Sequence, residues 1–205
     1  MRVVPRTARG TATKEKLLAA AEQVFGQLSY HDASIVKITE AAGVAMGTFY
    51  LYFDSKLQIF EELVEDLNRR VRRAMSEAAV DAPDRLAAER AGFRAFFAFT
   101  EQHPGLYRVI RQAEFVSPKA MKQHYERIIA PYAAGLREAV SRGEVAPVDP
   151  DVAAWALMGM GELIGLRWLL WDSSDDSPPP LPDDVFQHTV DLVERMLQPT
   201  AAKEQ

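Results

Sequence analysis

The chain contains no cysteine, which excludes disulfides, thiolate metal ligands and a cysteine nucleophile together. Its four histidines, His31, His103, His124 and His188, are scattered, and no two stand at the spacing of a metal site. No glycine-rich phosphate loop and no nucleophile signature occurs, so no catalytic residue, metal or cofactor is expected. A long apolar run free of charge is also missing. The worst case, Val152 to Trp171, is long enough to span a bilayer, yet it carries Glu162 and Arg167. Its glycines and tryptophans suit helix–helix packing, and a buried helix of a soluble protein is the expectation. The N-terminus has arginines with no apolar stretch behind them, which argues against a signal peptide. A cytoplasmic protein is expected, with no membrane partner.

What the chain does have is helical pattern and uneven charge. Its 205 residues, 48% of them hydrophobic, suffice for one or two domains with a sizeable core. The net charge of −5 is divided unequally. Residues 1–56 carry seven Lys/Arg against five Asp/Glu, net +2, and the remainder carries seventeen against twenty-four, net −7. One face of a molecule can meet a polyanion whatever the total says. Before Leu17 five basic residues face one acidic residue, an arm that could run along phosphates or fray into solvent.

Apolar spacing predicts helices nearly throughout and an all-α fold. Thr13 is expected to cap a first helix with the stripe Leu17, Leu18, Ala21, Val24, Phe25 and Leu28. Ser34 caps a short second helix, Gly43 marks a sharp turn, and Val44 and Phe49 anchor a third helix over Met46–Tyr52. Ser55 with Gln58 forms a capping box that opens a long helix. Pro83 breaks the pattern, and His103-Pro104-Gly105 ends the next helix. Ser117-Pro118 and Asp149-Pro150 start two more. Asp172–Pro182, acidic and proline-rich, reads as a loop before a last helix over Asp183–Leu197. Two short helices joined by a glycine-containing turn are the helix-turn-helix pattern, whose second helix enters the DNA major groove.

The segment IVKITEAAGVAMGTFYLYFDSK, Ile35 to Lys56, resembles the signature of the TetR family of bacterial one-component transcription regulators. The resemblance spans roughly Thr13 to Phe60. It departs from the family at Val36 and Ala45, where members often carry polar residues, and at Thr39, where they often carry alanine. The first two departures bear on base recognition and leave the fold argument intact. The resemblance implies an N-terminal three-helix helix-turn-helix head on a larger helical ligand-binding and dimerisation body. The boundary is expected near Ser55, giving a DNA-binding domain over 1–55 and a body over 56–205. It also implies phosphate contacts from Thr48, Tyr52 and Lys56, with Gly47 permitting close approach. Lys37, Ala45, Met46 and Tyr50 are the candidates for base edges; the Tyr50 ring could equally pack under the head.

A regulator of this family needs an apolar effector cavity with a few polar groups. Phe93, Phe97, Tyr107, Arg111, Phe115, Tyr125, Trp155 and Met158 are the candidates, although most such residues in any protein are core. The segment HPGLYRVIRQAEFVSP resembles members that answer to acyl- or aryl-CoA thioesters. Gly159, Gly161 and Gly165 would let the penultimate helix approach a symmetry mate, or serve packing within the chain, and the family implies a four-helix dimer interface. The expected function is therefore a homodimeric, ligand-released repressor on a palindromic double-stranded DNA operator. Two alternatives stay open at this point: a helical small-molecule enzyme and a ligand-independent DNA-organising protein.

Overall fold

The computed structural model describes residues 8–171 and 180–199. The arm residues Arg2 and Arg6 and most of the acidic, proline-rich loop lie outside the described residues. Among those described, the chain is helical and holds no strand. The helices are α1 (Ala8–Gln27), α2 (Ile35–Ala42), α3 (Met46–Phe49), α4 (Lys56–Ala79), α5 (Arg85–Gln102), α6 (Gly105–Val116), α7 (Pro118–Ser141), α8 (Pro150–Gly165) and α9 (Asp183–Leu197). After Gly165 the chain widens into a π-helical turn over Leu166–Trp171. Thr13 does not cap α1: the helix begins further upstream, and the Thr13 hydroxyl donates to the Arg9 carbonyl one turn back.

The described residues form two compact units. The first comprises Met1–Leu67 and Gly105–His124, the second Asn68–Pro104 and Tyr125–Gln205. This first unit runs beyond Ser55 and includes α6. In its core Leu17, Phe25, Ile38, Phe49, Phe53 and Phe60 are fully buried, and Phe25 meets Phe60 edge-on at 5.2 Å. α6 crosses α1 at two glycines: a Cβ on Gly26 would stand 3.3 Å from the Gly105 Cα. The last carbonyls of α1 then find partners on α6. Arg108 Nη1 donates to Gly26 O at 2.9 Å and Gln112 Nε2 to Phe25 O at 2.9 Å, meeting the acceptors that a helix C-terminus leaves unpaired. A cation there also suits the helix dipole.

In the second unit Phe93, Phe97, Leu136, Leu157, Leu169 and Phe186 belong to one apolar cluster. Pro150–Trp171 is the one helical stretch among the described residues long and apolar enough to cross a membrane. Its Ala153, Ala154, Leu157 and Leu169 are spent on this protein's own core. Pro131 sits inside α7 and cannot donate to the Arg127 carbonyl four residues back. Arg72 Nη1 occupies that carbonyl instead, at 3.3 Å.

A buried polar cluster ties α5 to α7. Arg85 Nε donates to Glu89 Oε1 at 2.7 Å, and Tyr132 Oη donates to Glu89 Oε2. Burial above all, then the Glu89 charge and hydrogen bond, holds the Tyr132 phenol well above its ordinary pKa of 10.0. The unfolded chain ionises this phenol near pH 10 while the folded one keeps its proton. The unfolded state therefore binds fewer protons as pH rises past that value, and stability contributed below it is lost. Wild-type stability is expected to fall between about pH 9 and pH 11 more steeply than that of Tyr132→Phe. Denaturant melts across that window check it, and parallel slopes would remove Tyr132 from the cause.

Candidate nucleic-acid interface

The turn between α2 and α3 is fixed by local chemistry. Ser34 Oγ accepts from Lys37 N at 3.2 Å, capping α2. Gly43 ends the helix at φ +64°, a conformation that other L-residues resist. Gly43 N donates to Glu40 O at 3.1 Å and Val44 N to Thr39 O at 3.0 Å, the paired bonds of a Schellman ending. α3 is shorter than the expected Met46–Tyr52. After one turn its ladder tightens, with Leu51 N on Thr48 O at 3.2 Å and Tyr52 N on Phe49 O at 2.9 Å. Bonds spanning three residues make a poorer helix and end it early.

Phe49 anchors this short helix by burying its whole ring beside Phe53, centroid to centroid 5.5 Å. What remains outside is the set expected to meet DNA. Ala45, Met46 and Gly47 are exposed, and Thr48 and Tyr52 are half-buried. A Cβ on Gly47 would meet nothing within 4 Å, so no packing within the chain demands a glycine there. Tyr50 meets Phe49 edge-on yet stays 52% exposed, so its ring is not packed under the head. Val36 and Leu51 are also exposed. Leu51 is not among the residues expected to meet DNA, and its offset from the buried Phe49 and Phe53 is the one signal that turns it outward.

Two lysines are placed differently from the sequence expectation. Lys37 Nζ turns back to the Asp32 carbonyl at 3.0 Å. Lys56 Nζ donates to Tyr30 O at 2.6 Å and Ala33 O at 2.8 Å and lies 4.4 Å above the Tyr30 ring. Lys56 is thus first a clamp on the loop before α2. Lys56→Met keeps the apolar stem but leaves two carbonyls without their charged donor. It is expected to destabilise the head by about 1.5–3 kcal/mol, read by urea unfolding. A change within about 0.5 kcal/mol, the range of an ordinary surface substitution, would show that the clamp contributes nothing.

The eight residues expected around an effector are not brought together within one unit. Phe93 and Phe97 are buried in the second unit's core, with Met158 packed against it. In the same unit the Tyr125 and Trp155 rings lie 5.7 Å apart, and Tyr125 Oη donates to both Glu162 carboxylate oxygens at 3.1 Å. Tyr107, Arg111 and Phe115 belong to the first unit. Tyr107 is buried there, Arg111 is exposed, and Phe115 is 84% exposed and walls no enclosed space. The apolar side of α6 is already filled by Leu106, Val109, Ile110 and Ala113, which turns Phe115 outward. Gly161 takes the second of its two expected roles. Its missing Cβ makes room for Phe93 Cε1 at 3.3 Å, so the glycine serves packing inside the chain.

Residues 17–63 match the family model for bacterial regulatory proteins of the tetR family. The uncharacterized helix-turn-helix-type transcriptional regulator YdgC of Bacillus subtilis is 28% identical over 172 residues, 82% of this chain and 86% of that protein. Residues 17–63 thus carry the DNA-binding domain of the TetR family. The helix-turn-helix-type transcriptional repressor BepR of Brucella suis is another such relative, 29% identical over 75% of this chain and 78% of its own. Among solved structures, the transcriptional regulator FadR of Bacillus subtilis, in complex with stearoyl-CoA, superposes with a TM-score of 0.73. It covers 90% of this chain and 97% of its own at 21% identity, a likeness of fold. With this domain and these relatives, the protein is a DNA-binding transcription regulator and not an enzyme.

Proposed function

We propose that the protein is a cytoplasmic homodimeric repressor that grips a palindromic operator with the surface around α3 and lets go when a largely apolar effector binds. The observation that carries this is the contrast within α3: a fully buried Phe49 beneath exposed Ala45, Met46, Gly47 and Tyr50. A four-residue helix held by one ring and left open on its outer side has little use in a core, but suits a major groove. Ala45, Met46 and Tyr50 face base edges, with Lys37 beside them held on the Asp32 carbonyl, while Gly47, Thr48, Tyr52 and the remaining N–H of Lys56 meet phosphates. Residues 1–55 with α6 form the DNA-binding part, and the second unit carries effector binding and dimerisation.

Dimerisation uses α8 and α9. Val152, Trp155 and Leu163 on α8 and Leu192 on α9 are exposed apolar side chains, more than a monomer gains from leaving in water. A second copy packing there makes the isologous contact a palindrome requires. Leu163→Glu and Leu192→Glu should each yield a folded monomer on sedimentation and weaken operator binding. Full dimers at low concentration in both variants would move the interface elsewhere.

The relative BepR, a named repressor, supports the direction of control. FadR holding stearoyl-CoA supports an acyl thioester or a similar amphipathic molecule. Phe93, Phe97, Met158 and the Tyr125–Trp155 pair supply apolar lining in the second unit, and Glu162 lies beside that pair. An effector that prefers the DNA-incompetent conformation must weaken operator binding by the same coupling free energy with which DNA weakens its own binding. The test is operator release against acyl-CoAs, aryl-CoAs, free acids and neutral aromatics. Release by a thioester supports the proposal. Release only by a neutral hydrophobe rejects the CoA class and leaves the repressor standing. No response in any class rejects effector control.

A further inference from the structure

The surface around α3 is short of the groups that ordinarily read bases. Between Val36 and Tyr52 there is no arginine, asparagine or glutamine; of the side chains that commonly hydrogen-bond base edges in the major groove, the segment keeps Lys37, Glu40 and a few hydroxyls. Ala45, Met46 and Gly47 carry no polar side-chain atom apart from a thioether, a weak acceptor. The Lys37 ammonium is turned back onto the Asp32 carbonyl. The Thr39 hydroxyl is buried and donates to Val36 O at 2.9 Å, inside α2.

Apolar surface stands there in their place. Met46 is 46% exposed and Val36 43%. Neither completes the head core, which closes over Ile38, Phe49 and Phe53 instead. Ala45 is exposed beside Met46, immediately before the first turn of α3. Such side chains gain on binding only by covering apolar surface on the partner. The major groove offers one apolar group on the four bases, the C5-methyl of thymine.

We infer that this regulator chooses its operator chiefly through thymine methyl groups, with Met46, Val36 and Ala45 as the specificity-determining residues. The inference rests on the proposal that the α3 surface faces the groove, and it deepens that proposal by naming the base chemistry read. Phosphate contacts supply affinity to any duplex, and the methyls select among duplexes.

Replacing thymine by deoxyuridine removes the methyl and leaves every hydrogen-bonding group of the pair in place. The experiment takes duplexes enriched from a random pool by the full chain and substitutes their thymines one at a time. Burying one methyl-sized group is worth about fourfold in affinity, and a loss of that order is expected at each contacted thymine, with none outside the footprint. Met46→Ala and Val36→Ala trim exposed side chains and leave the core intact. Each should bring the thymine-to-deoxyuridine affinity ratio at the position it reads towards one. Equal binding of thymine and deoxyuridine duplexes at every position, with the enriched sequence still preferred over a scrambled one, would overturn methyl readout and leave the groove-facing surface standing. No sequence preference for any duplex would overturn both.

Discussion

Phe49→Ala lowers the stability of the head by about 3–5 kcal/mol, the cost of emptying a fully buried ring site, and abolishes sequence-preferring DNA binding. The ring is the one buried residue of α3. Its neighbours along the chain are held by hydrogen bonds spanning three or four residues. Without the ring, nothing but short-range hydrogen bonds keeps Met46 and Tyr50 in place, and one turn of helix is far below the length that persists alone in water. Hydrogen exchange should show lost protection over α2 and α3, with Trp155, Trp168 and Trp171 in the second unit reporting an intact body by their emission. Stability within about 1 kcal/mol of wild type would mean that α3 is anchored by something other than Phe49.

Glu89→Ala is the corresponding break in the second unit. It strands the Arg85 guanidinium, which holds Glu89 Oε1 through Nη2 at 2.6 Å and is only 17% exposed. It also takes the acceptor from the buried Tyr132 hydroxyl. Removing one partner of a buried ion pair costs about 3–5 kcal/mol. The lower end is expected, because Arg85 keeps some contact with water. Exchanging both charges in Arg85→Met/Glu89→Met should recover most of the loss, since a packed apolar pair is often no worse than a buried ionic one. Chemical unfolding of both variants decides it. A double variant as unstable as Glu89→Ala would show that the cost lies in lost packing or in Tyr132 rather than in the stranded charge.

Much of this fold is legible because its boundaries are written in local chemistry. Ser34 and Gly43 bracket α2 as their side chain and φ angle require, and Asp149 caps α8 by accepting from Asp151 N and Val152 N. The amphipathic pattern of α9 gives both of its ends. What stays hidden depends on partners far away in sequence. Lys56 reads as a cation placed for phosphate, and nothing local says that Tyr30 O and Ala33 O also hold it. α6 looks like part of the body until Arg108 and Gln112 are found on the end of α1, and their side chains carry no local sign of that partner. α7 runs on through Pro131, and nothing local says that Arg72 takes the freed carbonyl. The candidate effector residues are the least legible. Aromatic spacing cannot separate a buried ring such as Phe97 from an exposed one such as Phe115.

The DNA surface is more legible than the effector surface for a physical reason. A groove-facing helix needs small and outward residues at fixed offsets from one buried anchor, a pattern that sequence carries directly. A cavity is defined by what several distant segments leave unfilled. Only the first kind of information is local.

Sequencing the duplexes that the purified full chain selects from a random pool tests the central claim most directly. Two copies of the α3 surface related by a dyad should enrich an inverted repeat, its half-sites about one helical turn apart or a multiple of it. A single unrepeated motif, or a pool no richer in any sequence than when it began, would contradict the account.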